Sequence, residues 1–366
     1  MKFLFVDTYY PAFLKSFHRI NPAQNHKSYE IQKINLLREC FGTSDFYSFN
    51  LMQLGHRADD IITNDEISQK TWAGENNIKY SLNGLISKAQ LLPYIHRFIG
   101  RPKWIQEIAL AQIKQEKPDI LYFQDLSILN PNTILIAKRY SKLIVGQIAS
   151  PLPSYKQLLN FDLIITSFPH FVQQFKKMNI KSEYLPLAFE PRILKKINTK
   201  NMKKTYDVSF VGSFSYYHRK GSRILKEVVK YVPVNIWGSN PGFGNHYHGE
   251  AWGLDMLHIL SKSKIIINRH INVAQDYANN MRLFESTGMG AMLITDEKVN
   301  LGDLFHVGKE IETYKNSQDL VKKINYYLAH DEERKKIALA GQIRTLKDHN
   351  YLNRMKQLVA ILNKYI

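Results

Sequence analysis

Residues Asn279–Asp296 read NNMRLFESTGMGAMLITD. The first half predicts a helix over Met281–Gly288. Gly288 and Gly290 then turn the chain into an apolar run, Ala291–Asp296, with the character of a buried strand. A helix that passes within a few residues into a Met-, Leu- and Ile-rich strand is one half of a strand–helix–strand crossover, the unit of parallel sheets. Arg282 and Glu285 lie three residues apart and share a helix face. At the carboxyl edge of a parallel sheet, where open α/β sheets bind ligands, such a carboxylate can accept from two vicinal hydroxyls, as a ribose presents them. The same spacing fits an ordinary surface ion pair worth a few tenths of a kcal/mol, so spacing alone leaves both readings open.

The flanking sequence repeats the crossover pattern. Lys2–Thr8, Pro118–Asp125, Leu143–Ala149 and Phe161–Ser167 read as strands, with helices expected over Tyr29–Phe41, Asp45–Gly55, Trp104–Gln115 and Pro169–Met178. A second series follows, with strands at Asp207–Gly212, Val234–Gly238, Lys264–Asn268 and Ala291–Asp296. The helices between them are expected at Gly221–Val232, Gly253–Ser263 and Met281–Gly288. Two such series predict two doubly wound, Rossmann-like α/β domains. The expected ranges are 1–190, 191–348 and a final helical segment, 349–366, returning to the first domain. From Ser317 the pattern is helical, with breaks expected at Gly341 and at Asp348–Asn350.

Composition narrows the function classes. The chain has 366 residues, 50 Lys and Arg against 32 Asp and Glu, and a net charge of +18. That balance favours anionic partners: nucleic acid, an anionic membrane face or phosphorylated substrates. It equally fits a solvated Lys-rich surface. Between Arg192 and Lys230 stand eleven Lys and Arg and two acids, Asp207 and Glu227. No recognisable nucleic-acid reading motif accompanies the charge, so a specific nucleic-acid partner is not expected. The single cysteine, Cys40, cannot form an internal disulfide. The opening apolar run ends at Asp7, too short for a signal-peptide core, and no run reaches the roughly 18 apolar residues of a spanning helix. The expected location is cytoplasmic, including the inner face of the membrane through peripheral contact.

A second constellation, Val211–Gly221 (VGSFSYYHRKG), ends a strand at Gly212 and places Ser213, His218, Arg219 and Lys220 before a helix expected to open at Gly221. Small residues let the backbone approach a phosphate, and a helix N-terminus adds donors and a favourable dipole. Arg and Lys would neutralise a departing diphosphate. A solvated basic loop is the alternative. Trp237 and Gly238 end another strand, where a base could stack or bond the backbone. Asn268, Arg269 and His270 follow the strand KIIIN toward the same edge, and Asn280 precedes the helix. In the N-terminal half, Asp125, His18 and Asp7 are the candidate bases for an acceptor hydroxyl, although a carboxylate at a strand end often serves as a helix cap. No Asp-x-Asp occurs in the chain, so no metal-held diphosphate is expected.

Arg282-Leu283-Phe284-Glu285, Gly288, Gly290 and Leu293-Ile294-Thr295-Asp296 resemble the C-terminal half of CgeB-like, spore-protein-type glycosyltransferases of the GT-B fold. The likeness continues through Leu304-Phe305, Gly308-Lys309-Glu310, Tyr314, Leu320 and a His349, Tyr351, Arg354 element. It covers roughly Tyr206–Leu358. The segments Tyr10–Phe13 and Phe41–Tyr47 are similar to the N-terminal part of bacterial members. The resemblance implies two Rossmann-like domains facing a central cleft and metal-independent transfer of a sugar from a nucleotide diphosphate sugar, a co-substrate rather than a cofactor. Glycan, lipid-linked or protein acceptors fit equally. Glu285 takes the place of the second glutamate of an E-x7-E motif, which binds the donor ribose. Position 277, where the first would stand, holds Tyr277, with Asp276 beside it, so no stereochemical outcome carries over. A non-catalytic protein of the same fold and a sugar-nucleotide epimerase are the alternatives.

Overall fold

The computed structural model describes residues 1–82, 101–199, 202–214, 219–239 and 242–366. The chain divides into two compact units. The first comprises Met1–Thr166, Phe171–Leu185 and Met355–Ile366, and the second Ser167–His170 and Pro186–Arg354.

The first unit holds strands β1 (Lys2–Asp7), β2 (Arg57–Ile62), β3 (Ile120–Phe123), β4 (Leu143–Gln147), β5 (Leu163–Thr166) and β6 (Ser182–Tyr184). They form one sheet in the order β2-β1-β3-β4-β5-β6, every pairing parallel. The second unit holds β7 (Tyr206–Val211), β8 (Asn235–Trp237), β9 (Ser263–Asn268), β10 (Met292–Asp296) and β11 (Glu312–Tyr314). Their order is β11-β10-β9-β7-β8, again all parallel. Counted from each unit's own first strand, the second sheet has the order 2-1-3-4-5 and the first has the same order with a sixth strand added at the end. The winding therefore reverses between β1 and β3 and again between β7 and β9. The carboxyl ends of those strands border the crevice in which doubly wound sheets bind ligands.

The central strands are mostly apolar because helices cover both faces: every residue of β3 and β5 is buried. Three strands escape the sequence reading. In β2 the polar residues Arg57, Asp59 and Asp60 break the apolar run. Folding satisfies the two aspartates individually: Lys33 lies 2.9 Å from Asp59, and the Ser48 hydroxyl donates to the buried Asp60 carboxylate, while Arg57 is exposed. The other two, β6 and β11, are three residues long, too short to show a period.

Two helix boundaries also differ from expectation. The helix after β7 spans Arg219–Val228, so Arg219 and Lys220 belong to its first turn rather than to the loop before it. The expected break at Gly341 does not occur, because Asp331–Asp348 is one continuous helix. Gly341 is required there for contact: a Cβ would collide with the Glu310 carbonyl oxygen. The break that does occur follows Asp348.

His349, Tyr351 and Arg354 act as a latch behind the Glu285 helix. His349 Nε2 meets the Leu304 carbonyl at 2.7 Å and its Nδ1 meets Arg354 at 2.9 Å, while Arg354 Nε donates to the Leu187 carbonyl at 3.1 Å. The His349 ring packs 5.2 Å from Phe284, the neighbour of Glu285. Burial first, and then the nearby arginine charges, push the His349 pKa from 6.5 down to about 4 against the bond to Leu304. The folded state thus holds a neutral ring that donates to Leu304 and accepts from Arg354. A depressed folded pKa contributes stability above about 6.5, lost as pH falls toward 4. Thermal denaturation should show the melting temperature dropping across that window. His349→Gln should lower stability at pH 7 and flatten the drop.

Candidate functional site

The helix Met281–Gly288 is started by Asn280, whose side chain accepts from Leu283 N–H at 3.1 Å. The Asn280 amide also donates to Asn268 Oδ1 at 2.9 Å and to the Arg269 carbonyl at 3.3 Å. Expected as a donor contact, Asn280 is instead committed to pinning the helix N-terminus to the end of β9. The pinning aims the first helical turn across the switch point. Arg282 Nε donates to the carbonyl of Val211, the last residue of β7, at 3.2 Å, and Nη1 bonds the Glu285 carboxylate. Glu285 is only 9% exposed. Burial raises its pKa, opposed by the charge and hydrogen bond of Arg282. Glu285 is thus a buried carboxylate held by Arg282 beside the β7–β9 switch point, unlike the surface pair that spacing alone allowed.

Behind the helix, space is tight. A Cβ on Gly288 would enter the Phe189 ring. At the ends of β7 and β8, Gly212 N–H donates to the Trp237 carbonyl at 3.0 Å, and a Cβ on Gly238 would collide with the Gly212 carbonyl oxygen. Gly238 also sits at φ +151°. The two strand ends touch backbone to backbone, and Ser213 Oγ lies 3.2 Å from Ser239 Oγ. Trp237 differs from expectation. Its ring is 7% exposed, packed edge-on against Tyr206 at 5.1 Å and stacked on His248 at 4.8 Å, so it serves the core rather than a base. His218 lies outside the described residues.

One partner was not visible in the sequence. His270 Nδ1 and backbone N–H both reach Asp296 Oδ1, at 2.7 and 3.0 Å, joining the loops after β9 and β10. The His270 ring is buried and Nε2 has no protein partner. Burial works to raise the Asp296 pKa, but the His270 bonds and charge, with Lys298 3.5 Å away, overcome it and hold it at about 2. Asp296 thus anchors the Nδ1 side of the ring and leaves Nε2 without a partner among the described residues. Only the β9–β10 register, which sets Thr295 beside Asn268, brings together two residues 26 positions apart.

The equivalent edge of the first unit collects Asp7, Thr8, Asn64, Asp65, Gln124 and Asp125. Thr8 Oγ1 donates to Asp125 Oδ2 at 3.1 Å, Arg101 lies 3.2 Å from the same oxygen, and Asp125 Oδ1 accepts from Ser127 N–H at 2.8 Å. Asp125 is therefore occupied as a loop cap and ion-pair partner. His18 is held on both sides, Nε2 by Asp65 and Nδ1 by Asn25, each at 2.7 Å. Burial lowers its pKa, but the Asp65 and Asn25 bonds outweigh that and raise it, which favours an imidazolium with no lone pair to offer. Asp7 differs from both. Its Oδ1 accepts from Thr8 N–H at 2.7 Å, and burial, reinforced by Asp125 and only partly offset by Thr8, raises its pKa to about 7. Of the three expected bases, Asp7 is the one poised to exchange a proton near neutrality.

Residues 219–360 match the glycosyl transferase-like family. Among solved structures the chain is similar to Anabaena HepE in complex with UDP and glucose, at 12% identity and TM-score 0.60 with both chains covered in full. Sucrose-phosphate synthase from Thermosynechococcus elongatus aligns over 100% of this chain and 99% of that one, at 10% identity and TM-score 0.61. A glycosyltransferase from Rickettsia africae aligns over 99% and 98%, at 13% identity and TM-score 0.57. No curated protein sequence matches. The fold is GT-B, and the stretch that matches the glycosyl transferase-like family includes His270, Arg282, Glu285 and Asp296. Among the described residues no group of three or more His, Cys, Asp or Glu is arranged to hold a metal, and no helix is long and apolar enough to cross a membrane.

Gly238→Ala should cost about 2–4 kcal/mol in urea denaturation, from overpacking against Gly212 together with a backbone angle that L-residues rarely adopt. Gly242→Ala, with open space around it, should be close to neutral.

Proposed function

We propose that the protein transfers a sugar from a nucleotide diphosphate sugar to an acceptor hydroxyl, with the donor on the second unit and the acceptor on the first. The buried Arg282–Glu285 pair beside the β7–β9 switch point carries this reading, since it lies within the stretch that matches the glycosyl transferase-like family. The motif's likeness to the CgeB-like group points the same way. UDP-sugars are the first donors to test, because the similar HepE structure holds UDP and glucose.

Glu285 accepts from the vicinal ribose hydroxyls, and Arg282 holds it there through Val211. Gly212 and Ser213 let the diphosphate approach the backbone. The first turn of the helix Arg219–Val228 supplies N–H donors, the helix dipole and the charges of Arg219 and Lys220 as the diphosphate leaves. His270 Nε2, which has no partner among the described residues, is matched to a hydroxyl of the transferred sugar. Asp7 takes the proton of the acceptor hydroxyl while that oxygen bonds the anomeric carbon and the anomeric C–O bond to the diphosphate breaks.

Glu285→Ala should weaken donor binding in calorimetry about a hundredfold, close to 3 kcal/mol for hydrogen bonds to a charged group, with a native circular-dichroism spectrum at the temperature of the titration. Unchanged affinity for every nucleotide sugar would sink the donor assignment. Asp7 gives a paired prediction. Its raised pKa means that the base form appears only as pH rises through about 7, so turnover should climb over that range and Asp7→Asn should remove the climb with most of the rate. The sign for stability is opposite. The folded state favours the protonated acid, so its contribution is full below the unfolded value of 3.8 and is lost as pH rises to about 7. Asp7→Asn should therefore melt higher than the parent at pH 8 and little differently near pH 4.

A further inference from the structure

Tyr10 follows the end of β1 by three residues and presents 60% of its surface to solvent. It stands at the rim of an aromatic cluster. Phe41 lies 5.3 Å from Tyr10 at 72°, 5.0 Å from Tyr9 at 69°, and stacks on Phe13 at 4.2 Å and 9°. The segment carrying Phe41 is held in a demanding shape: Cys40, Gly42 and Ser44 have φ of 55°, 60° and 45°, a left-handed conformation that two of these side chains disfavour. Thr43 Oγ1 ties the segment to Gln124, beyond the end of β3, at 2.6 Å. Asn64 clamps Tyr9 from the β2 side, accepting from its N–H at 2.9 Å and donating to its carbonyl at 2.7 Å. Loops from β1, β2 and β3 thus fix aromatic rings beside the first unit's switch point.

The charge at this edge runs against that of the whole chain. Among the described residues there, Arg101 is paired with Asp125 and His18 with Asp65, which leaves Asp7 without a cation. Asp65 is 2% exposed, and its Oδ2 has no partner. A net charge of +18 would direct a phosphorylated or lipid-phosphate acceptor toward the protein in general, yet the described residues of this edge offer carboxylate acceptors and no spare cation. Carboxylates want hydroxyl donors, and an exposed tyrosine face wants an apolar C–H surface. A pyranose ring supplies both, on its rim and on its face.

We propose that the acceptor is a neutral sugar, the end of a glycan, lying against Tyr10 with its hydroxyls directed to Asp7 and Asp65. This rests on the reading that the first unit binds the acceptor, and the test separates the two. Saturation-transfer NMR with methyl glycosides of glucose, galactose, mannose, rhamnose and N-acetylglucosamine is run on the full chain with and without UDP, alongside UDP titrations. At least one glycoside should give transfer from aromatic protons. Tyr10→Ala should weaken that binding at least tenfold, Tyr10→Phe should retain it, and UDP affinity should stay unchanged in both. Absence of any glycoside signal from the parent protein overturns the inference, as does a signal indifferent to Tyr10→Ala. Sedimentation with phosphatidylglycerol vesicles that depends on Tyr10, without glycoside binding, overturns it in favour of a lipid headgroup. If UDP fails to bind while a Tyr10-dependent glycoside signal persists, the donor assignment falls and the sugar site stands.

Discussion

A parallel strand with a later strand on each side must send its crossovers in opposite directions, and both units obey that constraint. In the first sheet the strand is β1, between β2 and β3; in the second it is β7, between β8 and β9. Where the crossovers part, nothing from the sheet itself covers the strand ends, and backbone groups and side chains at those ends are left to meet a ligand. Every residue given a chemical role here sits at such a reversal or one strand from it. Asp7 ends β1, Gly212 and Ser213 follow β7, His270 follows β9, and Arg282 bonds the last carbonyl of β7.

The two reversals are furnished with different electrostatics. The second unit couples a buried carboxylate to an arginine, beside a helix whose first turn is basic, which suits a ligand combining hydroxyls with phosphates. At the first unit's reversal His18 and Arg101 are paired with Asp65 and Asp125, and one carboxyl is left to titrate near neutrality. Burial is the common tool, with opposite results. Desolvation raises Asp7, whose surroundings offer one backbone N–H and a second carboxylate; for Asp296 the same desolvation is overcome by His270 and Lys298.

Much of this was legible in the sequence wherever a local pattern carried it. The helix Met281–Gly288 falls where its residues predict, because the glycine turn and the apolar run bound it on one side and Asn280 on the other. Strand β2 was hidden because Asp59 and Asp60 are satisfied by Lys33 and Ser48, partners that only folding supplies. Glu285 could be named but not weighed, since the Arg282 that bonds it is itself held by a carbonyl 71 residues away. Asp296 as the partner of His270 required the strand register. Trp237 and Asn280 looked available at a sheet edge, yet packing and capping had already claimed them. Residue type and position identify what chemistry is at hand, and three-dimensional context decides which groups are still unspent.

The last segment, Met355–Ile366, belongs to the first unit, where Leu358 and Leu362 are fully buried and the Tyr365 hydroxyl donates to Glu183 at 2.9 Å. Synthesis runs from the N-terminus, so the ribosome delivers the whole second unit before it delivers the residues that close the first core. The first unit must wait, partly open, for about 170 residues of later chain, on the order of ten to thirty seconds at ordinary elongation rates. The second unit can fold while it waits. Order of birth and order of completion are thereby reversed, and the half that titrates near neutrality is finished last.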